Sequence, residues 1–238
     1  MRLRLMMSVA TVTMLLAACS VREARIALPA NLTASTERLE LTGMGGGTRG
    51  DFNLAGAYGT FTRSAERIGI FDPLLVRHQG GGAFQIEPGS GNAGLAGRCS
   101  YREGQVNVGP VAITPDRLVY YCEFARDGAP IDAELIIEDP KNAFGTVHGR
   151  SERQGTIFYE GQQIEIRSIH RDEGGGLPSP TALGYLLVDE SGEIGAIDMN
   201  GLNKTIFAPL LGEKREAVLA AALALSIFWD PAEVQPDE

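Results

Sequence analysis

The chain has 238 residues and a formal net charge of −9. This acidic balance argues against a nucleic-acid partner, because phosphate contacts need clustered Lys and Arg, and against a purely electrostatic grip on anionic lipid. With 44 % hydrophobic residues the chain can bury a sizeable core. Its 30 glycines favour a fold rich in turns and strands over a helical bundle.

The first residues have the pattern of an export signal. Arg2 and Arg4 form a basic start, and a mostly apolar stretch follows over residues 5–16. That stretch is shorter than the roughly 20 residues of a transmembrane helix, and it fits the apolar part of a cleavable signal.

The apolar stretch ends at Leu16-Ala17-Ala18-Cys19, which resembles the bacterial lipobox. The resemblance implies a signal peptide over residues 1–18, cleavage before Cys19, and diacylglyceryl attached to the Cys19 thiol. Two or three acyl chains give stable anchoring, at about 0.8 kcal/mol per buried methylene. Because Ser20 is not the retention-type Asp of enteric bacteria, the resemblance also implies the outer membrane, with the protein facing the periplasm. An ordinary secretory signal with a chance cysteine is the alternative.

Residues 19–38 are mixed and polar, and they are predicted to form the lipidated N-terminus and a tether that holds the domain off the bilayer. Residues 39–238 show no composition break, and we predict a single β-rich domain over that range.

Short strand candidates alternate with turns from residue 39 onward. They cover residues 39–42, 57–61, 74–78, 83–86, 118–124, 131–138, 156–159, 164–169, 183–188 and 194–199. Gly80, Gly81 and Gly82 are predicted to form a glycine loop that joins two of these strands as a hairpin. The regular spacing predicts one antiparallel barrel or sandwich.

Two cysteines remain once Cys19 is assigned to lipid. Cys99 and Cys122 both lie in strand-like sequence, and an even pair in an exported protein predicts a disulfide. Neither belongs to a CxxC motif, which argues against a redox or metal pair.

A hydrophobic helix is predicted over residues 213–229. After a charged first turn, residues 217–229 contain only Ser226 as a polar residue, and Asp230-Pro231 ends the pattern. The helix is apolar on every face, which indicates that it is surrounded by protein. Its apolar part spans about 20 Å, less than the roughly 30 Å hydrocarbon core, so enclosure by β-structure is favoured over a membrane span.

Many antiparallel strands followed by one hydrophobic C-terminal helix resemble the tubby-like architecture. The resemblance is carried by the late hairpin over residues 184–198 and by the Ala- and Leu-rich run 217–225. It implies a closed antiparallel barrel of short strands wrapped around the C-terminal helix. A β-sandwich with a packed C-terminal helix is the alternative.

Local catalytic and metal motifs are not found. His78, His148 and His170 lack metal-ligand spacing, and each is predicted to be a strand or strand-end residue. A carboxylate pair for glycoside hydrolysis among Asp51, Asp72, Glu138 and Asp139 depends on distances that sequence does not give.

One group of basic and aromatic residues forms a possible ligand-facing patch. Its members are Arg63, Arg67, Arg77, Tyr58 and Phe61. A solvated strand face is the favoured interpretation of these residues.

Two function classes follow from this pattern. The first is a non-catalytic cell-envelope lipoprotein, held on a membrane by lipid, that binds a lipid, protein or cell-wall partner without a cofactor. The second is an envelope hydrolase whose site is assembled from distant residues. The lack of a local catalytic signature favours the first class.

Overall fold

The computed structural model describes residues 24–70, 75–88, 94–108, 111–140 and 151–231. The predicted signal peptide, Cys19, Asp72 and His148 lie outside these ranges. The elements are α1 (Ala30–Ser35), β1 (Thr36–Thr42), β2 (Arg49–Leu54), β3 (Ala57–Ile70), β4 (Leu75–Ile86), β5 (Leu95–Val108), β6 (Val111–Arg126), β7 (Ala129–Glu138), β8 (Gln154–Tyr159), β9 (Gln162–Ile169), β10 (Gly184–Asp189), β11 (Gly192–Asp198), β12 (Lys204–Pro209) and α2 (Glu213–Ile227).

The twelve described strands form one closed antiparallel barrel. Each strand pairs with its neighbours in the chain, and β1 pairs with β12 to close the ring. Buried and exposed residues alternate along the strands, as in β8 and β9, because successive side chains point to opposite faces. The predicted closed barrel is confirmed, and the sandwich alternative is wrong.

Helix α2 fills the interior of the barrel. From Ala217 to Phe228 every residue except Leu219 is buried, and Leu219 packs against the same core. Two strand glycines make room for it: a Cβ on Gly195 would lie 2.9 Å from Val218, and one on Gly82 would lie 3.1 Å from Ile227. The predicted role of the hydrophobic C-terminal helix as the core of a barrel is therefore confirmed.

The helix ends two residues before the predicted position of 229. Phe228 is extended, with φ −70° and ψ 119°, because its ring turns to stack on Tyr120 at a centroid distance of 4.3 Å. Pro231 also disfavours a helical Asp230.

The predicted glycine-loop hairpin around Gly80–Gly82 is wrong, because β4 runs unbroken from Leu75 to Ile86. These glycines are required by close packing instead of by a turn. A Cβ on Gly80 would lie 2.2 Å from the Ser64 carbonyl oxygen, and one on Gly81 would lie 2.4 Å from the Cys99 carbonyl oxygen.

Cys99 and Cys122 lie directly opposite each other on β5 and β6, at disulfide distance, with Cα atoms 4.0 Å apart. Both side chains are buried and point into the barrel. A cross-link closing a loop of this size contributes roughly 3 kcal/mol of stability in the chain-entropy model.

The segment predicted as a tether is shorter than 19–38, because residues from Ala24 onward contact the barrel. Ile26 is 3 % exposed and pairs with Asp172, and its backbone N–H donates to Asp198 Oδ2 over 3.2 Å. Leu32 of α1 is fully buried, and β1 begins at Thr36, three residues before the predicted start of the domain. Burial of Ile26 and Leu32 against the outer face of β11 outweighs the entropy of a free linker.

Within the described ranges, neither helix combines the length and the hydrophobicity that a membrane crossing requires.

Candidate functional site

A cleft of about 1060 Å³ lies across the strands β3 to β9. We call it the outer cleft, because the side chains that point out of the barrel supply most of its lining. One complete row of cross-strand partners runs through it: Thr62, Ala83, Arg98, Glu123, Glu134, Phe158 and Gln163.

This row fixes the length and direction of the outer cleft. Seven antiparallel strands contribute one residue each, and six strand spacings of about 4.8 Å give a row of about 29 Å. A second row, from Thr60 through Gln85, Ala96 and Ala125 to Pro130, lies beside the first. The outer cleft therefore suits an extended ligand that crosses the strands.

Small residues and a bulge give the outer cleft its depth. Ala83, Ala96 and Ala125 lie where longer side chains would fill it. Between Glu123 and Ala125 the pairing of β6 with β7 loses its regular register, and residues 130–134 of β7 form one wall. A bulge bends its strand and redirects its side chains.

Two carboxylates face each other in the middle of the row. Glu123 and Glu134 are direct cross-strand partners, an arrangement that destabilises a sheet. The Tyr121 hydroxyl lies 3.2 Å from Glu134 Oε2 and 3.4 Å from Glu123 Oε1. Its single proton serves one carboxylate at a time, so acceptor capacity remains for a ligand.

The two residues that flank the paired glutamates differ in chemistry. Arg98, opposite Glu123, is exposed and offers a cationic fork of donors. Phe158, opposite Glu134, is 41 % exposed, a large value for an aromatic side chain in a strand. Gln85, Gln163 and Thr62 add amides and a hydroxyl to the lining, and Asp132 adds a third carboxylate. The outer cleft combines the exposed Phe158 ring with several charged and hydrogen-bonding groups, so a ligand can make both apolar and polar contacts in it.

The sheet offers a ligand no free edge within the described strands. Each strand is paired on both sides because the barrel is closed, so an added peptide strand has no unpaired ladder to join. Recognition in the outer cleft therefore depends on side chains.

A second group of polar residues lies where α2 ends, and we call it the buried charge cluster. Arg153, 5 % exposed, donates from Nε and Nη2 to the two carboxylate oxygens of Asp230 over 2.7 and 2.6 Å. Its Nη1 donates to Asp139. Burial lowers the pKa of Arg153, but Asp230 and Asp139 outweigh it and the net pKa is raised.

Glu103 completes the buried charge cluster. Burial raises its pKa to about 7, Arg153 opposes that rise, and the neighbouring Asp139 and Asp230 reinforce it. Burial likewise raises the pKa of Asp139 against the opposing effect of Arg153. A carboxyl that titrates near neutrality can act as a general acid, although structural charge networks also shift pKa values.

The three predicted carboxylates that the structure describes are not brought together as one pair. Asp51 lies on β2, whereas Glu138 and Asp139 lie at the end of β7, five strands further round the barrel. Asp139 contributes instead to the buried charge cluster, where it accepts a hydrogen bond from Arg153 beside the like-charged Asp230.

The predicted basic and aromatic patch is also dispersed. Phe61 and Arg63 point inward, and both are buried. Arg63 donates to the carbonyls of Gly45, Gly47 and Ser226, so it caps the last turn of α2, and its guanidinium lies 4.7 Å from the Trp229 ring centroid. The favoured interpretation as a solvated strand face is therefore wrong for these two residues. Tyr58 is 67 % exposed beside the β2–β3 turn.

The two described histidines have the predicted positions in or next to strands. His78 lies in β4, and burial followed by the nearby Arg67 lowers its pKa. His170 follows β9 and bonds Ser168 Oγ and the Ser179 carbonyl, which fastens the next loop. Among the described residues no group of three or more His, Cys, Asp or Glu side chains is arranged to hold a metal ion.

Sequence reasoning missed the row Arg98–Glu123–Glu134–Phe158. Only the register of five strands reveals it, and register is a long-range property. One signal was available: pairing Cys99 with Cys122 on antiparallel strands places Arg98 opposite Glu123.

Comparisons of the chain with protein-family models, with curated proteins and with solved structures give no significant match.

Proposed function

We propose that this chain is a lipid-anchored, non-catalytic binding protein of the bacterial cell envelope whose outer cleft holds a glycan strand of the cell wall. The observation that carries the proposal is the unbroken cross-strand row of ligand-facing side chains over about 29 Å.

The chemistry of the row favours a glycan over a lipid. A sugar ring presents an apolar face, which Phe158 is placed to cover, and hydroxyls, which Glu123, Glu134 and Gln163 are placed to bind. Aliphatic lipid chains would leave these polar groups without partners, at a cost for each desolvated group. Arg98 suits the carboxylates carried by peptide-bearing cell-wall fragments.

Calorimetry tests the proposal by measuring the binding of purified peptidoglycan fragments to a chain lacking residues 1–19. Saturable binding is expected, and Phe158→Ala weakens it about tenfold, which corresponds to about 1.4 kcal/mol. Tyr58→Ala is the matched control, because Tyr58 is an exposed aromatic residue that does not line the outer cleft. The proposal is refuted if the unsubstituted chain binds no cell-wall glycan.

The anchoring part of the proposal rests on the lipobox-like sequence Leu16–Cys19. Metabolic labelling with a palmitate analogue is expected to mark the natural chain and not Cys19→Ala, which accumulates as an uncleaved precursor. Equal labelling of the two chains would contradict lipidation at Cys19.

A second candidate function, an envelope hydrolase, is favoured by one observation. Glu103, with a pKa of about 7, lies in the buried charge cluster near two further carboxylates. A hydrolase would release reducing ends from cell-wall glycan, and Glu103→Gln would abolish that release. Capture of glycan without release of products supports the binding function instead.

A further inference from the structure

Only one end of the barrel lies close to the start of the described chain. Near Ala24, the Glu173 backbone N–H donates to the Arg25 carbonyl over 2.8 Å, and the Ala27 N–H donates to the Arg171 carbonyl over 3.0 Å. The loop over residues 170–183, between β9 and β10, therefore fixes the point at which the N-terminal segment reaches the barrel. This is the end at which α2 finishes.

The chain between the predicted lipid and the barrel is short. Five residue steps separate Cys19 from Ala24, and even a fully extended chain of that length spans only about 18 Å. Helix α2 runs about 22 Å from this end of the barrel towards the other. A lipid on Cys19 therefore keeps this end, and not the opposite one, at the bilayer.

Two leucines at this end are almost fully exposed. Leu177 is 98 % exposed in the loop 170–183, and Leu202 is 82 % exposed in the loop 199–203 between β11 and β12. We call these two segments the leucine loops. They are joined directly, because the Met199 N–H and the Asn200 side-chain amide both donate to the Leu183 carbonyl, over 2.9 and 3.0 Å.

We propose that the leucine loops dip into the interface of the bilayer that holds the Cys19 lipid, so that the barrel rests on the membrane in a fixed orientation. The inference rests on the proposed anchoring at Cys19. The short connection favours a lipid partner for the loops, because it holds this end of the barrel within about 18 Å of the bilayer wherever the lipid is inserted. The Leu177 and Leu202 side chains would contact the membrane in addition to the acyl chains, and two kinds of contact anchor a protein more stably than one.

This orientation points the outer cleft away from the membrane. Pro130 and Gly161, which line the outer cleft, lie at the β6–β7 and β8–β9 turns, at the end opposite the leucine loops. A glycan-binding face would then be directed towards the cell wall.

Tryptophan fluorescence of the full lipidated protein tests the orientation. Leu177→Trp, Leu202→Trp and Leu211→Trp are each made in a Trp229→Phe background, since Trp229 is the only natural tryptophan. The proteins are reconstituted in phosphatidylethanolamine–phosphatidylglycerol vesicles with brominated acyl chains. Leu211 is the matched control, because it is 85 % exposed at the opposite end, between β12 and α2.

Bromine is expected to quench Leu177→Trp and Leu202→Trp at least twofold more strongly than Leu211→Trp. Equal, weak quenching of all three in protein that floats with the vesicles would overturn the orientation and leave the anchoring intact. Failure of the natural chain to float would overturn both. Hydrogen exchange of the unsubstituted protein gives an independent readout: vesicles should slow exchange in residues 170–183 and 199–203 but not in residues 210–212.

Discussion

Alternate residues of the same strands have different roles in this protein. On β5 and β6, Cys99 and Cys122 point inward and are buried, whereas the adjacent Arg98 and Glu123 point outward into the cleft. The inner face is mostly apolar and closes on α2, but the outer face opposes two carboxylates in a way that does not favour folding. The contrast indicates that the inner face maintains the fold and that the paired glutamates of the outer face do not.

The largest loss of stability is expected when a charge is placed on the inner side of the barrel. Leu223 of α2 is fully buried, and loss of a buried leucine alone costs about 2–5 kcal/mol. Leu223→Asp adds an unpaired buried carboxylate, so we expect the total cost to exceed the stability of a domain of about 5–15 kcal/mol. Circular dichroism should show no cooperative melt, whereas the exposed control Leu211→Asp should melt like the natural chain.

Arg153→Leu should cost about 3–5 kcal/mol, because it removes the guanidinium that pairs with the buried Asp230 and the partly buried Asp139. The matched control is Arg126→Leu at the end of β6, where the ion pairs of Arg126 with Glu160 and with Glu216 of α2 are partly exposed. Its cost should stay below about 1 kcal/mol. Urea unfolding measures both values, and equal losses would contradict a structural role for the buried charge cluster.

Glu103 should make stability depend on pH. Because its folded pKa is raised to about 7 from 4.5, the folded chain holds this proton more tightly than the unfolded chain does. The free energy of unfolding should therefore fall as the pH rises from 4.5 to 7, by at most about 3 kcal/mol. Glu103→Gln should flatten this part of the profile and be more stable than the natural chain at pH 8. A profile unchanged by the substitution would contradict the burial of this carboxyl.

Tyr120→Phe should have a smaller effect, of about 1–2 kcal/mol. The Tyr120 hydroxyl donates to the Ala224 carbonyl over 2.6 Å. In a continuing helix the Phe228 N–H would bond this carbonyl, but it donates to the Leu225 carbonyl instead. The substitution leaves the buried Ala224 carbonyl without its donor. Thermal melting should detect the loss, and an unchanged melting temperature would show that the carbonyl finds another partner.

The fold was largely predictable because its signals are local. Turn residues such as Asp127-Gly128, Glu160-Gly161 and Ser191-Gly192 mark three hairpins that the structure contains, and the apolar run of α2 after its charged first turn requires an enclosing sheet. Gly80–Gly82 misled the prediction because glycine serves close packing as well as turns, and the sequence does not distinguish the two uses.

The candidate site was less predictable because the register of the strands, and not the local sequence, brings its residues together. Arg98, Glu123 and Phe158 each look like ordinary outward residues of an alternating strand. Only long-range pairing places them in one row, and a shift of one residue would turn each to the opposite face. The N-terminal contact of Ile26 with Asp198 was missed for the same reason, since 172 positions separate the two residues.

We propose that the outer face binds a ligand without being needed for the fold. The most direct test measures stability and glycan binding together in Phe158→Ala, with Tyr58→Ala as the control. We expect both variants to unfold within about 0.5 kcal/mol of the natural chain, as surface substitutions usually do, and only Phe158→Ala to lose about tenfold in affinity for cell-wall glycan. Equal affinity in the natural chain and Phe158→Ala, or a loss of binding that merely follows a loss of folding, would contradict the claim.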